Sequence, residues 1–335
     1  MSFFFNIKTV SAGVAGTGII SYFLGVPSKG TSNGNTSNSY PNGTKNGVSY
    51  PGGSNDLTFN ESDINPSEYF RIGGFPGPIF DLSQGKQFIS CYDRERKIPK
   101  WVVEHITRES LDVKNGDRKK SNFKEDQRIP STYRSLLKDY FRSGYDRGHM
   151  APAADSKFDQ LAMDQTFLLT NMAPQVGEGF NRDYWSHFEC FVRDLCVKDF
   201  ESVRIITGPL FLPKFNEKTK KYEITYEVIG NPPSVSVPTH FYKIVVGEKY
   251  CNDNIKTKNE NIYVAGFVLP NDKIPNDIPL TYFKTPIEAI ERSSGLSFFQ
   301  QNVSNKRVKD LCDNVSCVLT IRDWSNKMKS LPPPK

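Results

Sequence analysis

The chain has 335 residues, 37% hydrophobic, 24% charged and 13% aromatic. That length holds two domains or one large domain with tails, and the composition excludes collagen, a coiled coil and wholesale disorder. With 43 Lys and Arg against 37 Asp and Glu, the net charge is +6, too little for a polycation, so any nucleic-acid contact has to come from a local cluster.

A multi-span membrane protein is excluded too, because only residues 1–27 are apolar enough to matter. Between Lys8 and Lys29 that segment carries no charge. It is long enough to cross about 30 Å as a helix, though Gly13, Gly16, Gly18 and Gly25 weaken it. A secretory signal, a mitochondrial targeting segment and a membrane anchor all remain open. The acid-free flank suits mitochondria and the missing arginines do not, while sequons at Asn35, Asn42, Asn60, Asn302 and Asn314 favour secretion. Residues 28–62 are rich in Ser, Gly, Asn and Thr and read as a flexible tether.

The structured body is expected over residues 66–325, followed by a tail at 326–335. Strand patterns fall at QFISCYD (87–93), KWVVEHIT (100–107), TFLLTN (166–171), SVRIITGPLF (202–211), YEITYEVIG (222–230), THFYKIVVG (239–247) and NIYVAGFVLP (261–270). In the second of these, Trp101, Val103 and His105 share one face, and Val102, Glu104 and Ile106 the other. Helical spacing of Trp185, Phe188, Val192 and Leu195 predicts a helix over 181–197, and PIEAIERSSGLSFFQ predicts another over 286–300. Many strands with few helices between them indicate α+β with an antiparallel core sheet. Cys190 and Cys196 read as buried positions of the first helix, and Cys312 and Cys317 are near enough to bridge in an oxidising compartment.

Two blocks concentrate chemistry. One is Ser143-Gly144-Tyr145-Asp146-Arg147-Gly148-His149-Met150-Ala151-Pro152. The other runs Asn171-Met172-Ala173-Pro174-Gln175, then Gly179-Phe180-Asn181-Arg182-Asp183-Tyr184-Trp185, and ends at Glu189. A lone histidine is more often structural than catalytic, but the setting of His149 argues otherwise. Asp146 can orient backbone or an arginine, Gly148 lets the main chain approach a ligand, and Arg147 offers a phosphate-shaped donor fork.

Cutting a phosphodiester needs a base for the attacking water, a cation for the growing negative charge, and donors for the phosphate. A neutral imidazole acts near pH 7, and magnesium prefers oxygen ligands and keeps several waters, so one amide oxygen can anchor it. Asn181 fits that role, although its plainer reading is a helix N-cap. Glu189 lies eight residues further on, about 12 Å of rise and 80° of rotation along a helix. From there it reaches metal-bound water rather than the metal, and its plainer reading is an exposed i,i+4 pair with Arg193. Spacing alone favours the cap for Asn181 and leaves the choice for Glu189 open.

DRGH, NMAPQ and the pattern N…W…E together resemble the DNA/RNA non-specific endonucleases of the ββα-metal class, and within it the mitochondrial endonuclease G group, fungal members in particular. The likeness extends through WVVEHIT (101–107), GDRKKSNFKED (116–126), FRSGYDRGHMAPAAD (141–155), AMDQTFLLTNMAPQ (162–175), FNRDYWSHFE (180–189), TGPLFLP (207–213) and PIEAIERSSGL (286–296). It implies a ββα-metal nuclease fold with a central antiparallel sheet flanked by helices, and magnesium-dependent hydrolysis of DNA and RNA, with manganese able to substitute.

By matching position, the resemblance makes His149 the general base and Asn181 the direct protein ligand of the metal. Glu189 then hydrogen-bonds the metal's water shell, Arg118 holds the phosphate, Arg147 and Arg193 add electrostatic support, and Asn171 and Asp146 support the geometry. A homodimer, location at the mitochondrial inner membrane or intermembrane space, and anchoring through the N-terminal segment are also implied. Two departures are visible: Met150 stands where relatives often carry glutamine, and VGEGF (176–180) lengthens the link to Asn181. The competing readings are a secreted scavenging nuclease and a catalytically silent nucleic-acid-binding module on the same fold. Lys119, Lys120, Lys124, Arg128 and Arg142 each read as ordinary solvated surface before they read as a phosphate track, and Trp101, Trp185, His187 and His240 as structural.

Overall fold

Strands apolar on both faces have to be covered on both faces, and that requirement organises the molecule. The structure, a computed structural model, describes residues 81–249, 261–299 and 308–322. The N-terminal segment, the tether, the tail, Cys251 and every sequon but that of Asn314 lie outside the described residues.

In chain order the strands are β1 (Asp81–Gln84), β2 (Phe88–Asp93), β3 (Ile98–Thr107), β4 (Asp146–His149), β5 (Met172–Gln175), β6 (Ser202–Leu210), β7 (Lys214–Asn216), β8 (Lys221–Glu223), β9 (Val228–Ile229), β10 (Val235–Ser236), β11 (His240–Lys249), β12 (Asn261–Pro270) and β13 (Val308–Asp310). The α-helices are α1 (Arg108–Asp112), α2 (Leu137–Tyr140), α3 (Gln160–Thr166), α4 (Tyr184–Lys198) and α5 (Ile287–Ser294). Seven strands form one sheet in the order β1-β2-β3-β6-β11-β12-β13. It is antiparallel as expected, except that β13 adds to β12 in parallel.

Alternation along the central strands splits the core in two. Val102, Ile106, Val203, Ile205, Phe241 and Val245 face α4, which contributes Trp185, Phe188 and Val192. Trp101, Val103, Ile206, Tyr242 and Ile244 face the other way and are covered by Ile290 of α5 and by Phe298. The two-faced reading of residues 101–106 therefore holds, as does burial of Trp101, Trp185, Cys190 and Cys196. Cys312 and Cys317 form a disulfide.

Three predicted elements come out differently. TFLLTN is not a strand: α3 ends at Thr166 and Leu169–Asn171 make a short 3-10 turn, held because the Asn171 amide donates to the Thr166 carbonyl at 2.8 Å. YEITYEVIG breaks after β8, leaving Ile224, Tyr226 and Val228 exposed with no core to cover them. The helix predicted over 286–300 stops at Ser294, where Glu291 Oε1 accepts the Phe298 backbone N–H at 2.8 Å and turns the chain across the sheet.

Candidate active site

The two chemical blocks meet as strand, strand and helix. β4 carries Asp146-Arg147-Gly148-His149 and pairs antiparallel with β5, with Asp146 opposite Gln175 and His149 opposite Met172. A π-turn over Gly177–Asn181 leads from β5 into α4. Gly148 is required here for a reason other than ligand approach: a Cβ would lie 2.1 Å from the buried Gln175 side chain.

On a strand, residues two apart share a face, and Arg147 and His149 accordingly meet the same aromatic side chain. The His149 ring lies 5.6 Å from Phe123 and 4.9 Å, edge to face, from Phe167. Each phenyl ring carries a guanidinium: Arg147 stands 4.2 Å from the Phe123 centroid and Arg118 5.5 Å from the Phe167 centroid. The imidazole is thus walled by two aromatics and flanked by two cations. Its Nε2 is buried and has no hydrogen-bond partner among the described residues. Burial first, and the charge of Arg118 second, hold its pKa down to about 3, so the ring is neutral at physiological pH. Asn171, fully buried, braces the residues that follow. Its side chain accepts from the Ala151 N–H and donates to the Ala151 carbonyl, both at 2.9 Å, while its own carbonyl accepts from Met150.

The opposite face of β4 holds Asp146. Asn181 Nδ2 donates to Asp146 Oδ2 at 2.9 Å, and Arg182 Nε donates to the same oxygen at 2.8 Å. Burial opposes ionisation of this carboxyl, but the bonds from Arg182 and Asn181 outweigh it and keep the pKa below the ordinary value. An ionised carboxylate only accepts hydrogen bonds. The Asn181 amide must therefore turn its nitrogen to Asp146, which leaves Oδ1 as the group it can offer elsewhere. The plain N-cap reading of Asn181 fails, because the cap position of α4 is Asp183.

Further along α4, Glu189 is half-buried. Burial raises its pKa to about 7 against the opposing charges of Lys243 and Arg193. The exposed i,i+4 pair does not form: Arg193 donates instead to Asp155 Oδ1 at 2.7 Å, and to the Cys190 sulfur at 3.1 Å. The charge of Arg118 acts on both His149 and Glu189. Of the candidate phosphate track, Arg128 is committed to Asp126 through bonds of 2.9 and 2.7 Å, whereas Lys119, Lys120, Lys124 and Arg142 are exposed.

Sequence reading missed several contributors. Phe123, Phe167 and Asp155 lie inside the quoted motifs but carry no spacing signal of their own. Arg182 follows Asn181 directly and is the arginine that Asp146 orients. Asn271 is distant in sequence yet fixes the path of the lengthened loop. Its Oδ1 accepts from the Val176 N–H at 2.9 Å, and its Nδ2 donates to the Pro174 and Pro238 carbonyls at 3.0 and 2.9 Å. In that loop Gly179 has φ +81°, a left-handed conformation, and a Cβ there would strike the Lys273 side chain.

A family model described as DNA/RNA non-specific endonuclease matches residues 67–305. The chain is 55% identical over 280 residues to the mitochondrial nuclease of Saccharomyces cerevisiae, spanning 82% of this chain and 83% of that protein. It is 45% identical over 267 residues to the mitochondrial nuclease 1 of Schizosaccharomyces pombe, spanning 80% of each. The crystal structure of an EndoG/EndoGI complex, described as showing the mechanism of EndoG inhibition, aligns with a TM-score of 0.66 at 41% identity, over 73% of this chain and 97% of that one.

Proposed function

The chain belongs to the DNA/RNA non-specific endonuclease family, and from that membership we propose that it hydrolyses phosphodiester bonds of both DNA and RNA with a magnesium ion held at Asn181. The observation that carries the reading is the buried, unpartnered Nε2 of a neutral His149 set between two arginine-bearing aromatic rings.

Among the described residues no group of three or more His, Cys, Asp or Glu could hold a metal ion. The donor on offer is one amide oxygen, which suits a hard cation that keeps most of its waters, magnesium or manganese. When bound, such an ion neutralises charge on the phosphate and acidifies water. The chain's own residues do the rest. Asp146 pins the Asn181 nitrogen and so aims its oxygen. Glu189 accepts hydrogen bonds from water around the site. Arg118 and Arg147 hold the phosphate, and its negative charge offsets the Arg118 charge that discourages protonation of His149. His149 then takes the proton of the attacking water. All these contacts address the phosphate rather than base edges, so neither sugar nor sequence is read directly.

The 55% identity to a mitochondrial nuclease supports a mitochondrial location over secretion. The Cys312–Cys317 disulfide supports a compartment permitting oxidation, hence the intermembrane space or the inner-membrane surface with residues 1–27 as anchor. We place the active form as a homodimer. The test is His149→Ala assayed on plasmid and RNA with magnesium: loss of the general base lowers turnover about 10²–10⁴-fold, and near-normal turnover would remove His149 from the reaction.

A further inference from the structure

We infer that Lys243, in the middle of β11, is a positioning residue for the reaction: its buried ammonium group is the positive charge beneath α4 on which the Glu189 carboxylate and the Arg193–Asp155 ion pair are set. The inference rests on the nuclease reading above, since it states what the acidic side chain of that site requires.

The sheet fixes where Lys243 points. It lies opposite Thr207 on β6, and Thr207 lies opposite Val102 on β3. Phe241 and Val245, two residues to either side on β11, pack in the core beneath α4, so alternation puts Lys243 on that face. Its Nζ donates to Thr207 Oγ1 at 2.7 Å and stands 4.9 Å from the Trp185 ring of α4. Trp185 is four residues, about one turn, before Glu189, so both side chains share one stripe of the helix. Glu104, between Val102 and Ile106 on the same face of β3, is completely buried, and neither carboxylate oxygen has a hydrogen-bond partner among the described residues.

Four elements supply the charges around the ammonium group: Glu104 on β3, Glu189 and Arg193 on α4, and Asp155 in the turn after β4. Burial works to discharge Lys243, and Glu104, Glu189 and Asp155, in that order, oppose it. A lysine and a glutamate in the middle of a core are a poor choice for stability alone, because well-packed apolar residues of similar volume commonly do as well or better. What an apolar residue cannot do is place a positive charge under Glu189. Glu104, on the same face of the sheet, is the foremost acidic partner of the lysine.

The experiment compares wild type, Lys243→Met, the double variant Lys243→Met/Glu104→Gln and Thr207→Val on a short DNA substrate with magnesium, recording kcat, KM and thermal midpoint. Lys243→Met is expected to lower both kcat, at least tenfold, and the thermal midpoint, since it strands Glu104. The double variant should recover the thermal midpoint and leave kcat low, with KM within about twofold of wild type because Lys243 touches no substrate. A double variant whose kcat returns to the wild-type level would overturn the inference, making Lys243 a mere counter-ion of Glu104. Where the lysine variants do not fold, Thr207→Val decides: it keeps both charges but releases the ammonium group, so kcat falls at constant KM, and an unchanged kcat counts against the inference. A wild-type protein that cleaves nothing would instead sink the nuclease reading itself.

Discussion

Because the Asp146 carboxylate accepts from both the Asn181 amide and the Arg182 guanidinium, Asp146→Asn would let the Asn181 amide turn over and present its nitrogen to the ion. Supporting partners of this kind are worth about 10–100-fold in metal affinity. The variant should therefore need that much more magnesium for half-maximal cleavage while approaching normal turnover at saturation. A metal titration checks this, and an unchanged half-saturation point would count against the assigned role.

Protonation gives a second residue-scale prediction. Burial first holds His240 at about 4, and His149 at about 3, against an ordinary 6.5. Below pH 6.5 the unfolded chain takes up protons that the folded chain refuses, so stability falls as pH drops toward 4, at about 1.4 kcal/mol per pH unit for each histidine. Glu189, raised to about 7 from 4.5, acts oppositely, because the folded chain holds its proton longer and loses that contribution as pH rises through this window. Denaturant unfolding at pH 5, 6 and 7 should show a slope flatter by up to about 1.4 kcal/mol per unit in His240→Asn than in wild type. Parallel slopes would show that His240 titrates normally.

At this scale His149, Asn181 and Glu189 were legible because local motifs carry them. The walls of the imidazole and the buried pair of Glu104 and Lys243 were not, since only the folded sheet brings residues so far apart in sequence together.

Among the elements, the turn between β5 and α4 determines where Asn181 stands. Asn271 holds that turn with three hydrogen bonds to backbone groups of two other segments. Asn271→Ala leaves those groups unsatisfied and should cost about 1–3 kcal/mol, with a fall in kcat that exceeds any change in KM as Asn181 shifts. Denaturation and steady-state kinetics measure the two effects, and a destabilised variant with wild-type kcat would show that the turn is held by other means. Strand and helix interiors were readable from periodicity, which is why β12 matches its expected span and α4 differs by a few residues. Ends and connections were less so. Gly179 and the side-chain bonds of Asn171 and Glu291 override pattern locally, and no window of hydrophobicity encodes them.

For the molecule as a whole, the sheet serves as a platform with a hydrophobic layer on each face, and α4, which carries Glu189, packs on one of them. The antiparallel core and the two-faced central strands followed from composition and alternation. The parallel addition of β13 did not, because three residues with little hydrophobic pattern give no sign of where they pair. In the proposed reaction the Asn181 oxygen and a His149 ring nitrogen serve one phosphate. A crystal structure of the His149→Ala protein with magnesium and a short DNA duplex tests that directly. The expected result is the ion about 2.1 Å from Asn181 Oδ1, with the scissile phosphate lying between it and the space left by the imidazole. An ion bound elsewhere, or a phosphate held away from position 149, would contradict the account.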